Sequence, residues 1–265
     1  MTIEQLRQKP HLSATSISDY LSCSLLYKLG RVDKLKPDFT PDALEFGTVI
    51  HKALGDFYNA KKAVHKLPLQ ELLDTFDHYW KETAEGREDI KYKEGDSYNT
   101  LLTKGKELLK TYYDNLPDDN YKVLAVEEPF SFKVAGIPIP IIGAIDLLEM
   151  DADSTVIVTD FKTAGKSYST EPDDSFQLTV YNMAMKGNGF KNKEILLRFD
   201  VLVKTKVPKF EQHYTVRDET HEKKAIKTIQ MAWEGISKGV FIPNAEAWKC
   251  KGCSYKSHCE KELGK

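Results

Sequence analysis

Cysteine is scarce in this chain: four in 265 residues, at positions 23, 250, 253 and 259. No apolar run approaches the roughly 20 residues that a membrane-spanning helix needs, so a helical membrane protein is excluded. The opening Met-Thr-Ile-Glu-Gln-Leu-Arg lacks the apolar core of a secretory signal, and the expected location is the cytoplasm. In that compartment metal ligation is a better use for a few thiols than disulfides. No Gly-x4-Gly-Lys-Ser/Thr loop is present, which leaves out a P-loop motor. Internal repeats and low-complexity tracts are missing as well.

Net charge is also small, −2, but it is unevenly spread. Residues 1–185 carry 21 Lys/Arg against 30 Asp/Glu, a charge of −9; residues 186–265 carry 17 against 10, a charge of +7. A solvated basic surface explains this as readily as an anionic partner does, on charge alone. With 41% hydrophobic and 29% charged residues, the composition is globular, and 265 residues suffice for a sizeable core.

The stretch Thr155-Val-Ile-Val-Thr-Asp-Phe-Lys-Thr163 stands out. Its β-branched first half predicts a strand. A second strand is predicted over 141–149, carrying Asp146. A hairpin of the two places Asp146 beside Asp160 and Lys162. Two carboxylates that hold a divalent cation, next to an ammonium that offsets developing charge, suit metal-assisted hydrolysis of a phosphodiester.

Helices are predicted over 16–27, capped by Thr15 or Ser16 and enclosing Cys23, and over 44–61, with apolar residues at 46, 49, 50, 53, 54 and 57. His51 borders that apolar face and, taken alone, reads as a structural histidine. Two more helices are predicted over 68–83 and 98–115, whose aromatic residues read as core, and the polar 84–97 between them as a loop. A strand over 123–134 carries Glu127 and Glu128, of which alternation lets only one share a face with Asp146, and Glu127 is preferred. After a polar loop over 165–174, a short helix over 175–186 puts Gln177 and Tyr181 on one face. Strands over 194–203 and 209–216 and a helix over 218–238, with Lys223, Lys224 and Lys227 exposed, lead to Cys250-x2-Cys253-x5-Cys259.

Taken together, Gly47-Thr48-x-x-His51, Gly143-x-x-Asp146, Asp160-x-Lys162-Thr163, Gln177-x-x-x-Tyr181 and the four cysteines resemble the RecB-type branch of the PD-(D/E)xK nuclease superfamily. The likeness is to its iron–sulfur members, the AddB-like domains and CRISPR-associated exonucleases. It implies an α/β (α+β) fold: a central mixed sheet flanked by helices, a restriction-endonuclease-like core with a helical insert, and an Fe–S clasp joining the termini. One domain, 1–265, is expected, made of N-terminal helices (13–61), the insert (62–120), the catalytic core (121–216) and a C-terminal helix with the cysteine cluster (217–265).

The resemblance implies that His51, Asp146, Asp160 and the Phe161 carbonyl bind Mg2+ or Mn2+. Lys162 assists the attacking water, and Gln177 and Tyr181 steady the lysine or the phosphate. Cys23, Cys250, Cys253 and Cys259 ligate a [4Fe–4S] cluster, with Zn2+ as the alternative. The implied activity is a DNA exonuclease on single strands or ends, in repair and recombination, phage DNA processing or CRISPR adaptation, with helicase or CRISPR/recombination partners. The insert is expected to arch over the site. The alternative is a non-catalytic DNA-binding or assembly module with a structural Fe–S or Zn site. Asp160 stands where the wider superfamily often has Glu, and Ser24 where proline often follows the first cysteine.

Overall fold

The computed structural model describes residues 1–65, 67–167, 171–244 and 246–264. In chain order the elements are α1 (Ile3–Arg7), α2 (Ala14–Ser22), α3 (Ser24–Tyr27), β1 (Thr40–Pro41), α4 (Asp42–Lys62), α5 (Leu69–Ala84), β2 (Ile90–Lys91), α6 (Tyr98–Asn115) and β3 (Lys122–Phe132). Then come β4 (Ile141–Met150), β5 (Val156–Ala164), α7 (Glu171–Asp174), α8 (Phe176–Met185), β6 (Ile195–Val203), β7 (Lys209–Thr215), α9 (Glu219–Ser237), α10 (Ala247–Lys251) and α11 (Lys256–Glu262). The polar loop predicted over 165–174 falls partly, at 168–170, outside the described residues, and it ends in α7. No helix among the described residues is long and apolar enough to cross a membrane.

Two compact units share the chain: one of residues 1–40, 131–143 and 218–265, the other of 41–130 and 144–217. The second holds a mixed sheet in the order β3-β4-β5-β6-β7. β4 and β5 are antiparallel, β5 and β6 parallel, and β6 and β7 antiparallel. The parallel pair follows from α8, since parallel neighbours require a crossover and the segment between β5 and β6 supplies one.

Helix α4 is placed by its apolar stripe. Phe46, Val49, Ile50, Ala53 and Leu54 are each 0% exposed, matching the sequence spacing. Each large side chain buried in this way contributes roughly 1.5–3 kcal/mol. Phe76 and Trp80 from α5 meet Phe46 edge-on at 6.2 and 6.0 Å, and Tyr112 from α6 meets Phe210 at 4.6 Å. The insert is built into the core. Its buried aromatic faces make α5 and α6 part of the same core cluster as α4, Phe161 and Leu202. Gly105 permits this contact, because a Cβ there would lie 2.0 Å from the Phe76 ring.

In the first unit, the helix predicted over 16–27 is broken. Ser13, not Thr15 or Ser16, caps α2, in a reciprocal pair with Ser16. Cys23 lies outside any helix, in extended conformation (φ −160°, ψ 102°) between α2 and α3. The two ends of the chain are tied here by side chains. Ser24 Oγ donates to the Ile242 carbonyl at 3.1 Å, Asn244 to the Ser22 carbonyl at 2.6 Å, and Lys28 pairs with Glu262 at 3.0 Å.

Candidate active site

The β4–β5 ladder runs from Met150↔Val156 to Leu147↔Thr159 and stops. The next pair in register is Asp146 and Asp160, so the hairpin geometry puts the two acids across from each other where the strands part. In place of a ladder bond, the Phe161 N–H donates to Asp146 Oδ2 at 2.8 Å. His51, one turn beyond Gly47 on α4, lies with Nδ1 3.3 Å from the same oxygen, and its ring meets Phe161 edge-on at 5.8 Å.

Asp160 is 1% exposed. Its Oδ1 accepts from Gln177 Nε2 at 2.7 Å and from the Tyr181 hydroxyl at 3.1 Å. Its Oδ2 touches Lys162 Nζ at 2.5 Å yet accepts no aligned hydrogen bond. Lys162 follows by two residues on the same face of β5 and donates to Gln177 Oε1 at 2.8 Å, with Nζ 5.2 Å from the centre of the Phe199 ring. Gln177 also donates to the Tyr181 oxygen at 2.8 Å. The i,i+4 pair on α8 thus reaches one polar target, the Asp160–Lys162 couple.

Protonation equilibria follow from burial and crowding. Burial raises the Asp160 carboxyl and Asp146 raises it further, against the pull of Lys162 and His51. Burial lowers His51, but the hydrogen bond and charge of Asp146, with the charge of Asp160, outweigh it and the imidazole is raised. Burial lifts the Tyr181 phenol well above its ordinary value. His51, Asp146, Asp160 and Lys162 therefore act on one another electrostatically, although among the described residues no three His, Cys, Asp or Glu side chains stand close enough to hold a metal ion as arranged.

Glu127 and Glu128 are both exposed, and Glu127 has a left-handed φ of 51°. The strict alternation used to choose between them breaks at that residue. In the other unit, the four cysteines, all free thiols, line one cavity of about 540 Å³ together with Leu25, Leu29 and Pro243. Burial, then the neighbouring cysteines, raises the Cys259 thiol.

A buried network under the sheet escaped the sequence reading. Arg198 on β6, 1% exposed, contacts Glu149 on β4 at 3.0 Å and Asp200 at 2.8 Å. Asp200 also accepts from Gln212 and from Tyr112, whose hydroxyl lies 2.6 Å from that of Tyr58. The signal was present: an arginine and an aspartate inside the apolar run Ile195-Leu-Leu-Arg-Phe-Asp-Val-Leu-Val203.

A five-stranded mixed sheet flanked by helices, with paired acids and a lysine where two strands separate, is a restriction-endonuclease-like nuclease fold. The model of the PD-(D/E)XK nuclease superfamily matches residues 11–260, and the chain belongs to that superfamily. It is 28% identical over 278 residues to the Gene 69 protein of Mycobacterium phage D29, covering 94% of this chain and 96% of that protein. A crystal structure of a provisionally named exonuclease from Eubacterium rectale superposes with a TM-score of 0.59, covering 97% of this chain and 92% of the other. At 11% identity that likeness concerns the fold.

Proposed function

We propose that this nuclease is a metal-dependent DNA exonuclease acting on free ends or single strands, with Mg2+ or Mn2+ held by His51, Asp146, Asp160 and the Phe161 carbonyl. The observation that carries the reading is the convergence of four groups: His51 Nδ1 lies 3.3 Å from Asp146 Oδ2, and Lys162 Nζ lies 2.5 Å from Oδ2 of the buried Asp160, across the hairpin from Asp146. Two carboxylates and an imidazole brought this close suit a divalent cation, and this mixed donor set suits Mn2+ at least as well as Mg2+. A divalent cation there supplies polarisation of the phosphoryl oxygen and a more acidic water.

The chain's own residues do the rest. The Phe161 N–H fixes the Asp146 carboxylate. The Gln177 amide holds Lys162 with its oxygen and Asp160 with its nitrogen, setting the spacing between acid and amine. Lys162 then offsets negative charge as it develops and orients the nucleophile. Exposed Lys223, Lys224 and Lys227 on α9 belong to the basic last third, which holds phosphates with little reading of sequence. A phage-encoded relative matched nearly end to end favours phage DNA processing over repair or CRISPR adaptation.

At the cysteines we place a [4Fe–4S] cluster. In support, all four line one cavity, and four thiolates suit such a cluster or, as the alternative, tetrahedral Zn2+. The visible spectrum of anaerobically purified protein, with iron and zinc analysis, decides between them.

The activity is tested with end-labelled linear single and double strands and a covalently closed circle, with Mn2+, Mg2+ or chelator. Metal-dependent digestion of linear strands and a spared circle is expected. No cleavage of any substrate in either metal would leave a DNA-binding module.

A further inference from the structure

One guanidinium fastens the segment on which the Gln177–Tyr181 face depends. Arg217, two residues beyond β7 and 8% exposed, makes five hydrogen bonds, all to neutral acceptors. Nη2 donates to the carbonyls of Pro172, at 2.5 Å, and Ser175, at 3.2 Å. Nε donates to Thr179 Oγ1 at 2.7 Å, and Nη1 to Thr215 Oγ1 at 2.8 Å and the Val216 carbonyl at 2.9 Å. Ser175 is the N-cap of α8, accepting from the Leu178 N–H at 3.2 Å, and Thr179 lies between Gln177 and Tyr181 on the same helix. Residues 211, 215 and 217 each grip the β5–α8 connection or α8 itself. Glu211 accepts from Ser167 at 2.6 Å, and Thr215 donates to Asp173 at 2.7 Å.

We propose that Arg217 is a positioning residue for the reaction: by clamping the Pro172 and Ser175 carbonyls and the Thr179 hydroxyl, it fixes the axial position of α8 that brings Gln177 and Tyr181 onto Asp160. A planar fork with five donors reaches both helix start and strand end at once. A lysine ammonium, with three donors on one atom, does not. The clamp acts at the first turn of α8, so a small shift there moves the Gln177 amide relative to the Asp160–Lys162 couple. This inference rests on the nuclease reading.

The test is a double-mutant cycle between Arg217→Lys and Gln177→Ala, in the full chain, on Mn2+-dependent cleavage of a linear strand. Arg217→Lys is expected to lower kcat by roughly tenfold to a hundredfold with little change in KM, the size of effect that follows a displacement of about 1 Å in a positioned group. The doubly substituted protein is expected to lose distinctly less than the product of the two single losses, because the clamp acts through Gln177 together with Tyr181. Hydrogen exchange reports the same link without turnover: amides of 176–181 are expected to exchange faster in Arg217→Lys while those of α4 do not change.

Multiplicative losses in the cycle, or unchanged exchange over 176–181, overturn the inference, and so does full activity in the Arg217→Lys variant. A wild type that cleaves nothing overturns the nuclease reading instead, a different result from an active wild type with an unaffected variant.

Discussion

Gln177 illustrates how one side chain sets the chemistry of two others. Its carbonyl oxygen fixes the Lys162 ammonium and its amide nitrogen fixes an Asp160 oxygen, so acid and amine are held side by side. The remaining Asp160 oxygen faces the Lys162 ammonium at 2.5 Å. On the proposed mechanism Lys162 carries the charge that a phosphodiester transition state needs offset, and Lys162→Met is expected to slow single-turnover cleavage about a hundredfold or more. DNA affinity, read by fluorescence anisotropy, is expected to stay within about twofold of wild type, since one ammonium contributes little to a many-phosphate contact. A variant that keeps a tenth of the wild-type rate would remove Lys162 from the chemistry. Asp160, Lys162, Gln177 and Tyr181 were each legible as residues. The division of the two Asp160 oxygens between α8 and Lys162 was not, because it depends on where α8 docks.

Strand β6 shows what an apolar pattern conceals. Arg198 and Asp200 alternate with core residues and point to the face covered by α4 and α6, where Glu149 and Tyr112 complete their hydrogen bonding. Burial raises Asp200 to about 6 despite Arg198 beside it, and raises Glu149 despite Arg198 and Lys61. Both folded values lie above the unfolded ones, so the folded state gains most below the unfolded carboxylate range and loses that advantage as pH climbs through about 6. Removing the guanidinium strands the buried Asp200 charge and leaves Glu149 with Lys61 alone. Arg198→Met is expected to cost roughly 3–5 kcal/mol at pH 8, and distinctly less at pH 5, where the acids take up protons. Denaturant unfolding at the two pH values checks this, and an equal deficit at both would sink it. Element boundaries were otherwise well marked by period and caps, as in α6, which runs from Tyr98 to Asn115 as expected behind the N-cap Ser97. The break at Cys23 was not, since Ile17, Tyr20, Leu21 and Leu25 keep helical spacing across it.

The first unit draws its stability from different sources than the sheet-bearing one. Its residues come from three separate parts of the chain, and short polar ties hold the ends, such as Ser257 on Asp38 and His258 on the Lys36 carbonyl. The cluster proposed at the four thiols would add a cross-link closing a loop of more than 200 residues between Cys23 and Cys250, a large restriction of the unfolded chain. Stripping the cluster anaerobically with a chelator is expected to speed hydrogen exchange in α2, α3 and α11 first, with β4, β5 and β6 largely protected. Uniform loss of protection across both units would contradict a local clasp.

By itself the sequence determined the list of chemical groups and most of the element boundaries, because periodicity, capping and β-branching act over a few residues. It also carried the family likeness, through motifs kept in order from Cys23 to Cys259. Tertiary structure alone decided that α5 and α6 join the core, that Arg198 is shared between two acids, and that Arg217 reaches back to the start of α8. Each of these depends on groups far apart in the chain meeting in one buried place, where an unmade hydrogen bond is expensive, and no local pattern records which partner will satisfy it.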